Sequence, residues 1–101
     1  MKNLIGNINK IFESRIRLGI MSLLTIHDSL DFNSLKELLQ LTDGNLASHL
    51  SGLEKADYIT IHKAFVGKKT QTTYEATDLG KLAFKNHINA LEILINSQNQ
   101  S

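Results

Sequence analysis

Apolar residues recur at helical spacing through the first quarter of the chain. Leu4, Ile8, Ile11 and Phe12 make one stripe, and Ile16, Ile20, Leu23 and Leu24 make a second. Ser14 can cap a helix that starts at Arg15. The pattern therefore predicts helical structure over residues 4–25 with a break near Glu13 and Ser14. His27, Asp28 and Ser29 supply a turn, and Leu30, Asp31 and Phe32 alternate as a short extended piece. Asn33 or Ser34 is expected to cap a short helix that buries Leu35, Leu38 and Leu39 and turns Lys36 and Glu37 outward. Thr42 can cap the helix after it, and Asp43 in its first turn suits the positive end of the helix dipole. Through residues 42–56, Leu46, Leu50 and Leu53 give one narrow apolar stripe, closed by Ala56 and Asp57.

The periodicity then changes. Residues 58–65 are rich in β-branched and aromatic side chains and read as a strand. Residues 66–71 read as a polar, basic loop longer than a tight turn, and residues 72–76 as the return strand. Thr77 can cap a long last helix over residues 78–96, followed by a polar tail, 97–101, that should fray. Two short helices joined by a three- to four-residue turn are a helix-turn-helix pattern, and a hairpin straight after the second is a wing. The expected fold is mainly α with a small β-hairpin wing (α+β). It is a single winged helix-turn-helix domain over residues 1–96, with its wing at about 58–76 and a long C-terminal dimerisation helix.

Composition narrows the function. At 101 residues, 42% hydrophobic and 21% charged, the chain matches one ordinary globular domain. No apolar run approaches the ~20 residues of a membrane span, and Met1 to Gly6 lack the features of a signal peptide. With no cysteine there is no disulfide framework or thiolate metal site, which fits a cytoplasmic protein. His27, His49, His62 and His87 stand apart in sequence, so neither a metal nor another cofactor is expected. No Ser-His-Asp spacing, paired carboxylates or phosphate-cradling glycine loop points to an enzyme.

The net charge of +1 is uninformative, but its distribution is not. Between Asp57 and Glu75 the chain carries Lys63, Lys68 and Lys69 and no acid. On a helical wheel Gly44, Ser48, Ser51 and Lys55 lie opposite the leucine stripe of residues 42–56, with Asn45 and Gly52 on one flank. Two glycines, each costing about 0.8–1.0 kcal/mol against alanine inside a helix, are unusual on a solvent-facing stripe. Small residues let a helix lie deep in a groove, and Asn and Ser can bond base edges or phosphates. The other reading of Gly44 and Gly52 is close packing of a neighbouring helix. His49 sits at the edge of the stripe and suits either packing against the preceding helix or a sideways phosphate contact. The expected DNA-reading set is Thr42, Asp43, Gly44, Asn45, Ser48, His49, Ser51, Gly52 and Lys55, with Lys68, Lys69, Thr70 and Gln71 on the wing. Arg15 and Arg17 suit either a phosphate or an internal ion pair with Glu13 or Asp28, and the ion pair is the expectation for one of them.

Three motifs carry a family resemblance. Residues 14–24, SRIRLGIMSLL, resemble the R-L-x-I-L-x-x-L opening of ArsR- and MarR-type regulators. Residues 41–59, LTDGNLASHLSGLEKADYI, look like their recognition helix and its run into the wing. Residues 70–84, TQTTYEATDLGKLAF, resemble the return strand and the Y-x-L-T-x-x-G start of the last helix. Ala76 stands where that family usually has a larger aliphatic residue, and Asp57 where glycine is common. Asp57 can still take a left-handed conformation and end the helix. The resemblance implies a small prokaryotic transcriptional regulator that binds double-stranded DNA.

Phe84, Ile88, Leu91 and Ile95 repeat with coiled-coil spacing. Together with Leu4, Ile5, Ile8 and Phe12 they are expected to build a homodimer, while Leu79, Leu82 and Ala83 face the domain's own core. Such a dimer would present its two recognition helices about one DNA turn apart. A small-molecule effector, where one exists, would bind at that interface. The alternative is a winged-helix module that binds protein and never touches DNA.

Overall fold

The computed structural model describes residues 5–99; Leu4 of the expected dimer surface lies outside them. A 3₁₀ turn, Lys10–Glu13, precedes α1 (Arg15–Ile26), β1 (Leu30–Asp31), α2 (Phe32–Leu39) and α3 (Asp43–Lys55). The hairpin β2 (Ile59–Val66) and β3 (Lys69–Ala76) follows, then α4 (Asp78–Asn99). The strands form one antiparallel sheet in the order β1-β3-β2.

The break at Ser14 is present. Its hydroxyl accepts the Arg17 N–H at 3.4 Å and starts α1, whereas residues 5–8 form turns rather than helix. The cap of α2 is Asp31, a strand residue two positions before Asn33 and three before Ser34. Its carboxylate accepts the Ser34 N–H at 2.7 Å, and the hydrogen bonding from Ser34 holds its pKa below the ordinary value. Leu35 is buried and Leu39 half-buried, but Leu38, on the edge of the same helical face, turns to solvent. Thr42 caps α3 through the Asn45 N–H, as its residue type predicts, and Asp57 takes the left-handed φ of 61 just past the end of the helix.

The core is built where the helical and strand patterns meet. Ile20, Met21 and Leu24 of α1, Leu35 of α2 and Leu46, Leu50 and Leu53 of α3 pack on Ile59, Tyr74 and Ala76 of the hairpin. Each fully buried leucine or isoleucine contributes roughly 1.5–3 kcal/mol. Phe12 closes this core from the N-terminal side. Its ring stacks on Tyr58 at 5.5 Å and meets Phe84 edge-on at 5.8 Å. It is 2% exposed, so its surface is spent within its own chain rather than on a partner.

The wing differs from the sequence expectation. Val66 pairs with Lys69, so the connection is the two-residue turn Gly67-Lys68 and not a six-residue loop. Gly67 takes φ 67 while Lys68 does not, the arrangement of a type II′ turn. Thr70 and Gln71 are therefore strand residues.

The faces of α4 are also rotated from expectation. Ala83, Phe84, His87, Ala90 and Leu91 lie against the body of the domain, while Leu79 and Leu82 are 52% and 55% exposed. The reason lies at the start of the helix. The Thr77 hydroxyl accepts the Gly80 N–H at 2.9 Å and donates to the Asp57 carbonyl at 2.6 Å, and the Thr77 N–H donates to the Tyr58 carbonyl. These bonds set Gly80 against the Tyr58 carbonyl so closely that any Cβ there would collide with it. The helix also continues to Asn99, past the expected fraying point at Asn96, with Ser97 bonded back to the Ile93 carbonyl.

Candidate nucleic-acid interface

With Leu46, Leu50 and Leu53 committed to the core, the opposite face of α3 is left to solvent. Gly44, Asn45, Ala47, Ser48, Ser51 and Lys55 are all exposed there. Nothing lies within 4 Å of a Cβ built on Gly44. The Asp43 carboxylate, the one acid at the start of this helix, is held 2.7 Å from Lys36 of α2. Glu54 is on the sheet side, close enough to Tyr74 that its charge is the second cause, after burial, of a raised tyrosine pKa. The outward face thus keeps small and hydrogen-bonding groups with its acids paired or turned away.

Gly52 is not part of that open face. The Arg17 guanidinium of α1 lies across it, and an added Cβ would stand 2.5 Å from Nη2 and 2.8 Å from Cζ. Arg17 Nε donates to His49 Nδ1 at 3.1 Å, which requires a neutral imidazole. Burial, and secondarily the Arg17 cation, lowers the His49 pKa accordingly. Packing is thus the reading of Gly52 and His49 that the geometry supports. Among the described residues Arg17 has no carboxylate within 4.0 Å, so neither Glu13 nor Asp28 neutralises it. Its positive charge stays on the flank of α3. The glycine-for-arginine fit joins residues far apart in sequence, and no local pattern signals it.

The wing adds Lys63, Lys68 and Lys69, all exposed. Thr70 is exposed near the tip, whereas the Gln71 amide reaches back 3.4 Å to Asp31. Phe65, a strand residue in the sequence pattern, is 80% exposed on the hairpin that carries these lysines. An aromatic at a strand end next to a Gly-Lys turn was the available signal for it.

A second surface runs between the N-terminal segment and α4. An open groove of about 590 Å³ is lined by Asn7, Asn9 and Tyr58 on one side and by Leu79, Leu82, Asn86 and Ile93 on the other. Asn9 builds its edge. Its side chain accepts the Ile11 N–H and donates to the Tyr58 hydroxyl at 2.8 Å, and its backbone N–H donates to His87 Nδ1 at 3.0 Å. His87 is 3% exposed, and burial lowers its pKa. Of the expected dimer residues, Ile5, Ile88 and Ile95 are exposed, Ile8, Phe84 and Leu91 are half-buried, and Phe12 is in the core.

Residues 16–95 match the family model described as a winged helix DNA-binding domain. An uncharacterized protein of Methanocaldococcus jannaschii is 42% identical over 90 residues, covering 89% of this chain and 96% of its own. A solved transcriptional regulator homologue from Pyrococcus horikoshii is 31% identical with a TM-score of 0.76, over 88% of this chain and 93% of that one. PadR of Bacillus subtilis, solved in complex with operator DNA, shares the fold at a TM-score of 0.67 and 18% identity, over 74% of this chain and 47% of that one.

Proposed function

The chain belongs to the winged helix DNA-binding domain family, and from that premise we propose that it is a sequence-specific transcriptional regulator acting as a homodimer in the cytoplasm. In this reading α3 enters the major groove and reads bases through Asn45, Ser48 and Ser51, while the wing lysines rest on the adjacent minor groove or its phosphates. The observation that carries it is the outward face of α3: small, hydrogen-bonding and free of unpaired acid. A helix filling a groove about 12 Å wide has phosphate rows on both sides, and Arg17 supplies a cation on one flank. Lys55 and the wing add to it. The MarR- and ArsR-like motifs fit the same docking.

The dimer rests on α4. Its apolar positions span well over half the helix circumference, more than one small core covers. Leu79, Leu82 and Ile93 line the groove, and Ile88 and Ile95 are exposed on the other flank. The second copy is proposed to cover these residues together with Ile5 and Ile8. The small-molecule effector site expected at the interface is proposed to lie in the same groove, whose lining carries no Lys, Arg, Asp or Glu among the described residues.

Fluorescence anisotropy against random-sequence and selected duplexes, over a range of salt, tests the reading. Salt-dependent binding with a strong preference among sequences is expected. Absence of binding at low salt overturns it and favours a protein-binding winged helix. Sedimentation as a monomer at tens of micromolar would remove the dimer.

A further inference from the structure

Phe65 is the most exposed large hydrophobic residue among the described residues, and Val66 beside it is 60% exposed. Strand alternation places Phe65 on the same sheet face as Ile59 and Ile61, opposite Thr70 and in line with Thr72, Tyr74 and Ala76. That face packs on α1 and α3 at the root of the hairpin. Past Ile61 the strand leaves the core, so Lys63 and Phe65 extend the same face into open space. The ring has no core role, and the hairpin end that carries it is cationic: Lys63 shares its face, Lys68 is in the turn and Lys69 lies on the opposite face, with no acid from residue 58 to residue 74. An apolar side chain at a cationic hairpin end suits the duplex minor groove, where phosphates flank the groove and apolar wedges can insert between base steps.

We propose that Phe65 enters the minor groove as an apolar wedge, prising open a base step and bending the duplex toward its major groove, while the wing lysines hold the flanking phosphates. This rests on the DNA-binding reading above. It adds a non-ionic, deformability-sensitive contact at the wing, favouring sites with easily unstacked TpA or CpA steps there.

The test uses the full chain and a duplex of about thirty base pairs rich in TpA steps and carrying 2-aminopurine, whose fluorescence rises on unstacking. The wild-type protein is expected to bind and raise the fluorescence. Phe65→Ala should weaken binding about tenfold with an unchanged salt slope and lose the fluorescence rise, while Phe65→Leu keeps most of both. Lys68→Ala with Lys69→Ala should instead lower the salt slope. All variants should melt at the wild-type temperature, because none of these side chains is buried. If the wild type binds duplex and Phe65→Ala matches it in affinity and fluorescence, the wedge is wrong and the DNA-binding reading survives. If the wild type binds no duplex, both fall. Should Phe65→Ala change the sedimentation of the free protein, or abolish binding to phosphatidylserine vesicles, the ring serves a second copy or a membrane and the wedge is overturned.

Discussion

Gly52→Ala separates two accounts of the recognition helix. In an ordinary helix interior the change stabilises by about 0.8–1.0 kcal/mol. Here the new methyl would stand 2.5 Å from Arg17 Nη2, 2.8 Å from Cζ and 3.3 Å from Nε. The guanidinium is the end of a flexible side chain, so it swings away and α3 itself need not move. The displacement breaks the 3.1 Å bond from Nε to His49. A hydrogen bond to a charged group is worth about 1.5–3 kcal/mol, and the half-exposed setting reduces that toward about 1 kcal/mol because water replaces the partner. The two effects nearly cancel, so Gly52→Ala should change stability by less than about 1 kcal/mol, in the destabilising direction.

A double-mutant cycle makes the sign decisive. With Arg17→Ala in place there is nothing to displace, and Gly52→Ala should then stabilise by about 0.8–1.0 kcal/mol. Urea unfolding gives both values. An NMR titration of the His49 ring gives an independent reading: its pKa should rise once the Arg17 cation leaves, since that cation is a lowering cause. DNA affinity should fall in the single variant, with a shallower salt slope, because the charge is no longer held on the flank of α3. Equal stabilisation by Gly52→Ala in both backgrounds, with an unmoved His49, would refute the seating of Arg17 and remove it from the interface.

Gly80→Ala should destabilise by at least about 2 kcal/mol in the same urea assay, because the colliding group is the backbone carbonyl of Tyr58 and cannot swing aside. Gly44→Ala, with open space around it, should leave stability unchanged or slightly raised while weakening DNA binding, if its bare backbone is what approaches the groove. Stability should also fall with acid in a defined window. The folded-state pKa values of His87 and His49 are lowered by burial, so below the ordinary value of 6.5 the unfolded chain binds more protons and acidification favours it. The loss continues until the pH passes the folded values, and His87→Phe should flatten the part due to His87 in thermal melts from pH 7.5 downward. Leu82→Glu together with Ile93→Glu should convert the proposed dimer to monomer in sedimentation without unfolding it, since both side chains are more than half exposed.

Local signals were legible in the sequence wherever one neighbourhood decides the outcome. Ser14, Thr42 and Thr77 each bond an N–H three residues on, so the capping pattern alone located the starts of α1, α3 and α4. The stripe of Leu46, Leu50 and Leu53 likewise settled which face of α3 is open, because three leucines on one side leave no ambiguity. The misreadings have a different origin. In sequence Gly67-Lys68 merges into a longer polar loop, because flanking Val66 and Lys69 do not look like strand ends until their pairing is known. The placement of Arg17 over Gly52 depends on how α1 crosses α3, which no spacing within either helix encodes.

The long helix is the most instructive case. Its apolar residues occupy so much of the circumference that periodicity cannot say which arc meets the domain and which is left over. The coiled-coil spacing of Phe84, Ile88, Leu91 and Ile95 is real, yet two of the four are half-buried against their own chain. The rotation is settled by Gly80, which the Tyr58 carbonyl accepts only without a side chain, and which thereby turns His87 inward and Leu79, Leu82 and Ile93 to the groove. A glycine read from sequence as part of a family motif is thus the residue that decides which apolar surface is available to a second copy.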